Sequence, residues 1–186
     1  MTSISRLVAV AVLLGAPAAF AQQSATVSSV SASARIYKPI TLTLTTGTSL
    51  GFGDIFLDAA SGTVTLNPKD GSRTSTLPAA NLVTDHASNV IGVPEFTVGG
   101  KRNASYAITL PADGTVTLTG PNSATMTVGS FKASVNGGDP AFAATGLIPD
   151  TAGGTQKFKV GATLSLAAGQ ADGDYTGTFP VTVTYN

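Results

Sequence analysis

Apolar and polar residues alternate along most of this chain, and a period of two is the pattern of half-buried β-strands. The clearest example is the C-terminal stretch, residues 175–185. One phase holds Tyr175, Phe179, Val181, Val183 and Tyr185, and the other phase is rich in threonine. Because successive side chains of a strand point to opposite faces, this stretch predicts one apolar and one hydroxyl-bearing face. We therefore expect the C-terminal segment to be built into a sheet.

Further segments alternate in the same way between turn signals made of Gly, Pro, Asn and Asp. The pattern predicts a long strand over residues 32–44, bent near Pro39, and a glycine-interrupted strand over residues 50–55. It also predicts strands over residues 63–66, 73–77, 95–98, 105–110, 115–119, 125–128, 131–135 and 158–166, with 125–128 and 131–135 forming one strand or a pair. Residues 79–88 are interpreted as a loop or a single helical turn, and residues 142–154 as an irregular excursion rich in Gly and Pro.

No segment combines helix-forming residues, an apolar stripe of period 3.6 and capping residues over the roughly 12 residues that a helix needs. Short strands at regular spacing with turn signals between them are typical of a β-sandwich. The predicted fold class is therefore all-β, an antiparallel sandwich of immunoglobulin-like or pilin-like type.

The N-terminus has the pattern of an export signal. Arg6 precedes an apolar run over residues 7–15, and Ala19-Phe20-Ala21 has the small residues of a cleavage site. We expect residues 1–21 to be a signal peptide, residues 22–31 a flexible N-terminal segment and residues 32–186 a single β-sandwich domain. The predicted location is the periplasm, the cell surface or the extracellular space.

Composition favours a neutral, folded chain without disulfide bonds. Hydrophobic residues make up 42% of the chain, charged residues 11%, and cysteine is absent. Removal of residues 1–21 would take away Arg6 and leave nine basic against ten acidic residues, a net charge of −1. Such a charge gives no electrostatic reason to expect nucleic acid or an anionic membrane as a partner. Beyond the signal, no transmembrane segment is expected.

The inventory of reactive side chains predicts a protein that is not an enzyme. The chain has one histidine, His86, which follows Asp85, and one glutamate, Glu95. A serine hydrolase triad would need a nucleophile motif such as G-x-S-x-G, which is absent, and a glycosidase would need two facing carboxyl groups. We assign no catalytic residue and no cofactor, and interpret His86 as a polar loop residue.

Four other motifs have ordinary interpretations. Asp172 and Asp174 lie in a Gly-containing turn and lack the loop pattern of an EF-hand, so no metal site is assigned. Gly51-Phe52-Gly53 lacks the third glycine and the following helix of a dinucleotide site. Lys101 and Arg102 are interpreted as solvated turn residues. The sequon Asn103-Ala104-Ser105 is short enough to occur by chance.

The motifs together resemble a bacterial exported domain of unknown function, family 4402. The resemblance lies in residues 34–44, 50–53, 96–100, 106–111, 125–128 with Phe131, 158–164, Gly173 and 175–185. The closing Gly-x-Tyr-x-Gly-x-Phe followed by alternating valines is its most specific part. Because that family is uncharacterised, the resemblance implies almost nothing about function.

The C-terminal strand is also similar to that of spore coat U-type and archaic chaperone–usher pilins, which end on a valine-rich strand with a tyrosine near the end. This second resemblance implies an assembly strand formed by Tyr175, Phe179, Val181, Val183 and Tyr185. It also implies an N-terminal donor segment, for which residues 22–30 offer Ala25, Val27 and Val30 as apolar groups.

Two functions remain open at this point. The first is a structural or adhesive subunit of a surface fibre or pilus-like assembly, with self-association or a chaperone/usher-type protein as partner. The alternative is a monomeric periplasmic or secreted module that binds carbohydrate or another ligand. The alternative predicts exposed aromatic side chains, of which Tyr37 is a candidate.

Overall fold

The computed structural model describes residues 25–57, 60–83 and 90–186. The chain divides into two units, residues 1–35 and residues 36–186. In the first unit, residues 25–35 carry neither helix nor strand. The predicted signal peptide, as well as Asp85 and His86, lies outside the described residues. No helix in the described part of the chain is long and apolar enough to cross a bilayer.

The second unit is built from short antiparallel strands joined by turns. The strands are β1 (Thr41–Leu44), β2 (Gly62–Leu66), β3 (Arg73–Ser75), β4 (Glu95–Gly99), β5 (Ser105–Thr109), β6 (Val116–Thr119), β7 (Thr125–Val135), β8 (Thr145–Leu147), β9 (Thr155–Leu166) and β10 (Thr182–Tyr185). Short 3-10 turns occupy Ala79–Asn81 and Pro121–Ser123. The predicted all-β class is thereby confirmed.

The larger sheet has seven strands arranged around β9. One edge of β9 pairs with β7, and the other edge pairs first with β4 and then with β2. β1 extends the sheet beyond β4, β3 beyond β2 and β6 beyond β7. The sheet therefore ends on β1 at one side, and no strand of the described chain pairs with its outer edge.

The smaller sheet has the order β10-β5-β8, so β10 is an edge strand. The two sheets share one hydrophobic core, which gives the sandwich-like arrangement. Its largest fully buried side chains are Tyr106, Phe131, Phe158, Leu66 and Ile148. The rings of Phe96 and Phe158, which are cross-strand partners, stack with centroids 5.1 Å apart.

The predicted long strand over residues 32–44 is wrong in its first part, because only Thr41–Leu44 forms a strand. The reason is the length of its partner. Thr41 pairs with Gly99, the last residue of β4, so the residues before Thr41 have no strand to pair with. Pro39 also lacks the N–H that would continue a ladder.

The predicted strand over residues 50–55 is likewise absent. Only isolated bridges occur there, Gly51 with Gly92 and Ile55 with Leu82. Gly53 has a φ of +73°, in the left-handed region, which interrupts the extended chain.

Other predictions need smaller corrections. Residues 125–135 form one strand with an irregularity between Gly129 and Lys132, and the excursion over residues 142–154 contains β8. The C-terminal strand is shorter than predicted, since only Thr182–Tyr185 belongs to β10.

Candidate assembly groove

The apolar phase of the C-terminal segment faces the core as predicted. Val183 is buried, while Phe179, Val181 and Tyr185 are partly buried and pack against the core cluster. Thr182 and Thr184, in the opposite phase, are exposed. The rings of Phe179 and Phe131 meet at a centroid distance of 5.0 Å. Side-chain burial thus follows the predicted alternation even where the backbone is not paired.

Tyr175, the fifth predicted residue, belongs to a different environment. Its hydroxyl donates to the carbonyl of Ala171 at 2.8 Å and accepts from Nε2 of Gln170 at 2.7 Å. The structure therefore places Tyr175 in the loop before the terminal segment, and groups the other four residues along the core.

The backbone of β10 has one paired and one unpaired edge. The N–H of Asn186 donates to the carbonyl of Ser105 at 3.2 Å, and Thr184 and Thr182 follow in the same register opposite β5. Because backbone groups alternate between the two edges of a strand, those of Val183 and Tyr185 point away from β5. No strand of the described chain forms a ladder with that outer edge.

The unpaired stretch extends upstream of β10. Thr176 exchanges backbone hydrogen bonds with Thr119 at 2.8 and 3.0 Å, but residues 177–181 make none with the described residues. Pro180 is in phase with Thr182 and Thr184, so its missing N–H falls on the β5 side.

An apolar groove of about 380 Å³ lies beside these residues. We call it the terminal groove. Its lining residues come from residues 44–52 and the residue before β4 (Leu44, Thr48, Ser49, Leu50, Phe52 and Pro94), from the terminal segment (Gly177, Thr178, Phe179 and Val181) and from β4, β6 and β7 of the large sheet (Phe96, Val116, Leu118 and Val128). No charged residue is among these side chains. Leu44 keeps 49% of its surface exposed.

One end of the space between β1 and β10 is closed by Tyr185. Its hydroxyl accepts from the N–H of Lys101 at 2.7 Å and donates to the carbonyl of Lys38 at 2.9 Å. Gly100 makes room for this contact, because a Cβ there would overlap the Tyr185 hydroxyl. Since Lys38 precedes β1 and Leu44 ends it, the space is closed at the Lys38 end and opens at the Leu44 end.

A second cavity, of about 730 Å³, continues from the terminal groove and shares Leu50, Phe52 and Leu118 with it. Arg73 holds one of its walls, because its guanidinium donates to the carbonyls of Phe52 at 2.8 Å and Val83 at 2.7 Å.

The charged residues singled out in the sequence lie outside the terminal groove. Glu95 accepts a hydrogen bond from Lys157 at 2.6 Å, and this contact holds the pKa of Glu95 below its usual range. Asp172 and Asp174 are exposed at the second cavity, and within the described residues no three metal-binding side chains come together.

Lys101 and Arg102, which the sequence analysis interprets as solvated turn residues, each lie close to another side chain. Lys101 Nζ lies 4.4 Å from the ring centroid of Tyr37, and Arg102 Nε is 3.8 Å from Asp150 Oδ1. The sequon residue Asn103 sits in the same turn with a φ of +54°.

Sequence reasoning missed the wall opposite the terminal segment. Leu44 and Leu50 were placed in strands, but nothing marked them as lining a groove. The available signal was the stretch of five residues 45–49, four of them hydroxyl-bearing and one Gly47, which separates the two apolar positions without a strand.

The fold and groove define a class of protein, an all-β sandwich with an unpaired terminal edge. The sequence model of one family, described as a domain of unknown function (DUF4402), matches residues 42–185. The match covers most of the chain, so the chain belongs to this family, as its motifs predicted. A search of curated proteins found no match. The resemblance to pilins stays a prediction.

Proposed function

We propose that this protein is a non-enzymatic exported β-sandwich that serves as a structural or adhesive subunit of a bacterial surface fibre or pilus-like assembly. The observation that carries the proposal is the terminal groove, which lies beside residues 177–181, without backbone partners among the described residues, and leads to β10, an edge strand with one unpaired side. A strand added there would gain main-chain hydrogen bonds from the edge and bury alternate side chains in the groove.

The lack of protecting charges along the outer edge of the terminal segment supports the proposal. Exposed strand edges recruit other chains, and monomeric proteins protect them with charged side chains, proline or bulges. Here the groove lining carries no charge, and Pro180 of the terminal segment has the same phase as Thr182 and Thr184, whose backbone groups pair with β5. The outer edge is therefore left competent for pairing.

Export and partner follow from the sequence. The predicted signal peptide directs the protein to the periplasm, the cell surface or the extracellular space, where such assemblies form. The partner is a second copy of the chain or an assembly protein of the chaperone/usher kind. The near-neutral charge offers nothing for nucleic acid.

Light scattering after size-exclusion chromatography tests the proposal, with negative-stain microscopy of the same fractions. We expect the protein that starts at Gln22 to form oligomers or fibres as its concentration rises. Leu44→Lys should leave monomers, because it places a charge in an apolar groove at a half-exposed position. Thr43→Lys is the matched control, since Thr43 is the exposed neighbour on the opposite face of β1. Monomers of the parent protein at every concentration would refute the proposal.

A monomeric ligand-binding module is the second candidate, and the cavity of about 730 Å³ favours it. Asp172, Asp174, Gln170 and Tyr175 bring polar groups to an otherwise largely apolar wall, which is the usual make-up of a small-molecule site. A glycan array with the monomer tests this candidate. Binding that is lost in Tyr175→Ala, and kept in an exposed aromatic control outside this cavity such as Phe142→Ala, would favour it over assembly.

A further inference from the structure

We infer that the cavity of about 730 Å³ is a binding site for an organic cation with an apolar body, such as an alkylammonium ion. The inference rests on the second candidate function and names the chemistry of its ligand, and it does not depend on assembly through the terminal groove. It is carried by three features of the cavity: an apolar floor, an aromatic wall and carboxylates at the rim without a cation beside them.

The floor of the cavity is formed by the inward face of the large sheet. Leu118 of β6 is the cross-strand partner of Met126 of β7, and the pairing of Thr127 with Ser165 brings Leu166 of β9 into the same row. All three apolar side chains of this row line the cavity, and Leu118 and Met126 are only partly buried. The volume lies within the range of about 300–1,000 Å³ that is usual for small-molecule sites. The row therefore offers surface against which an alkyl or aryl group can be buried.

Two aromatic rings line the cavity above this floor. The ring of Tyr175 is held at its hydroxyl by Ala171 and Gln170, and it packs so closely on Gly120 that a Cβ there would overlap it. Phe56, on the opposite wall, is 68% exposed. The face of an aromatic ring attracts a cation within about 6 Å of its centroid. A fixed tyrosine ring and an accessible phenylalanine ring thus favour a positively charged ligand.

The charges of the lining have a single sign. Asp54, Asp172 and Asp174 line the cavity, and no lysine or arginine is among the described residues that do so. Arg73, behind the wall, donates to the carbonyl of Asp54 at 3.5 Å, so a cation already lies close to this residue. Asp172 and Asp174 are exposed and form no ion pair with the described residues. A ligand that complements this rim carries a positive charge, and an anionic ligand is repelled.

The floor and the rim together exclude simpler ligands. A neutral carbohydrate would place hydroxyl groups on the side chains of Leu118, Met126 and Leu166, which offer no hydrogen bond in return, and this is costly. A bare metal ion would leave the floor unused, and the described residues bring no three metal-binding side chains together. A ligand with a cationic head and an apolar body uses both parts of the cavity.

Isothermal titration calorimetry of the chain from Gln22 tests the inference with three probes that share an octyl chain. The probes are octyltrimethylammonium, octanoate and octyl glucoside, each below its micelle concentration at low salt. We expect one octyltrimethylammonium ion to bind per chain, about tenfold more tightly than octanoate and about fivefold more tightly than octyl glucoside. Tetramethylammonium, which has the charge without the apolar body, should give no measurable binding.

Two sets of variants assign the binding to the cavity. Joint replacement by Asp172→Asn and Asp174→Asn should weaken octyltrimethylammonium about fivefold and leave octyl glucoside unchanged, since exposed charge pairs contribute modestly. Phe56→Ala should weaken all three probes, and Phe142→Ala is its control, because Phe142 is an exposed aromatic residue outside the cavity. Both phenylalanines are more than half exposed, so neither change removes a core side chain.

The outcomes separate the inference from the function on which it rests. If octanoate or octyl glucoside binds as tightly as the ammonium ion and needs Phe56, the second candidate function is supported and the inference is overturned. If none of the probes binds, the cavity is not a site for such ligands and both are overturned. Equal loss of binding in Phe56→Ala and Phe142→Ala would place the ligand elsewhere and would also overturn the inference.

Discussion

At the scale of single residues, the core tyrosine shows how one polar atom is accommodated in an apolar sandwich. Tyr106 is fully buried, and its hydroxyl donates to Oε1 of Gln156 at 3.0 Å. The same oxygen accepts from the N–H of Leu147 at 2.9 Å, so Gln156 joins the core to β8. Gly146 clears the space, because a Cβ there would overlap the tyrosine ring.

This arrangement predicts a stability loss at high pH. Burial raises the pKa of Tyr106 to about 12, from a reference value of 10.0. Between these values the unfolded chain has lost the phenol proton and the folded chain has kept it, so the stability contributed by the protonated group falls as pH rises through that window. Urea unfolding at pH 9 to 12 should show the fall. In Tyr106→Phe the slope should be smaller than in the parent, and an equal slope in both proteins would contradict the assignment to Tyr106.

At the scale of elements, β9 organises the large sheet because its second edge serves two strands. β4 pairs with its first half and β2 with its second half, and Gly161 lies between the two. A Cβ on Gly161 would overlap the carbonyl oxygen of Leu66 and the ring of Pro68, where the chain leaves β2. The glycine is thus required by the close approach of β2 and its turn to β9.

Gly161→Ala should therefore destabilise the fold by roughly 2–4 kcal/mol, because backbone rather than a flexible side chain must move. Gly92→Ala is the control, since a Cβ there would meet only the carbonyl of Ser49 at an ordinary 3.5 Å. Chemical denaturation of both variants measures the difference. Similar stabilities for the two would show that the β2 junction tolerates the extra carbon.

The elements also show what sequence reasoning can supply. The alternation of apolar and polar residues correctly predicted β9 and the inward phase of Val181, Val183 and Tyr185. It could do so because the burial of every second side chain follows directly from this local pattern. It failed over residues 32–40, which alternate equally well but lack a partner beyond Gly99. A strand needs a neighbour, and the neighbour's length is a property of the fold. The terminal groove was not predictable for the same reason, since its lining comes from segments that are distant in sequence.

At the scale of the whole molecule, the proposed assembly would couple folding to association. The groove is lined by Leu44 of β1, an edge strand of the large sheet, and by the segment that leads into β10, an edge strand of the small sheet, so an added strand would lie close to both sheet edges. Binding that favours the folded state stabilises it by mass action, by about 2.7 kcal/mol when the partner is present at 100 times its dissociation constant. Stability should therefore depend on protein concentration.

We expect the unfolding temperature of the chain from Gln22 to rise over a hundredfold increase in concentration, because each copy supplies a partner for the next. Leu44→Lys should abolish the rise, since it blocks the groove and leaves the core untouched, and Thr43→Lys should keep it. A temperature that is constant for all three proteins would mean that the sandwich is complete as a monomer. Water would then satisfy the backbone groups of residues 177–181 and of the outer edge of β10, and the cavity of about 730 Å³ would become the better guide to function.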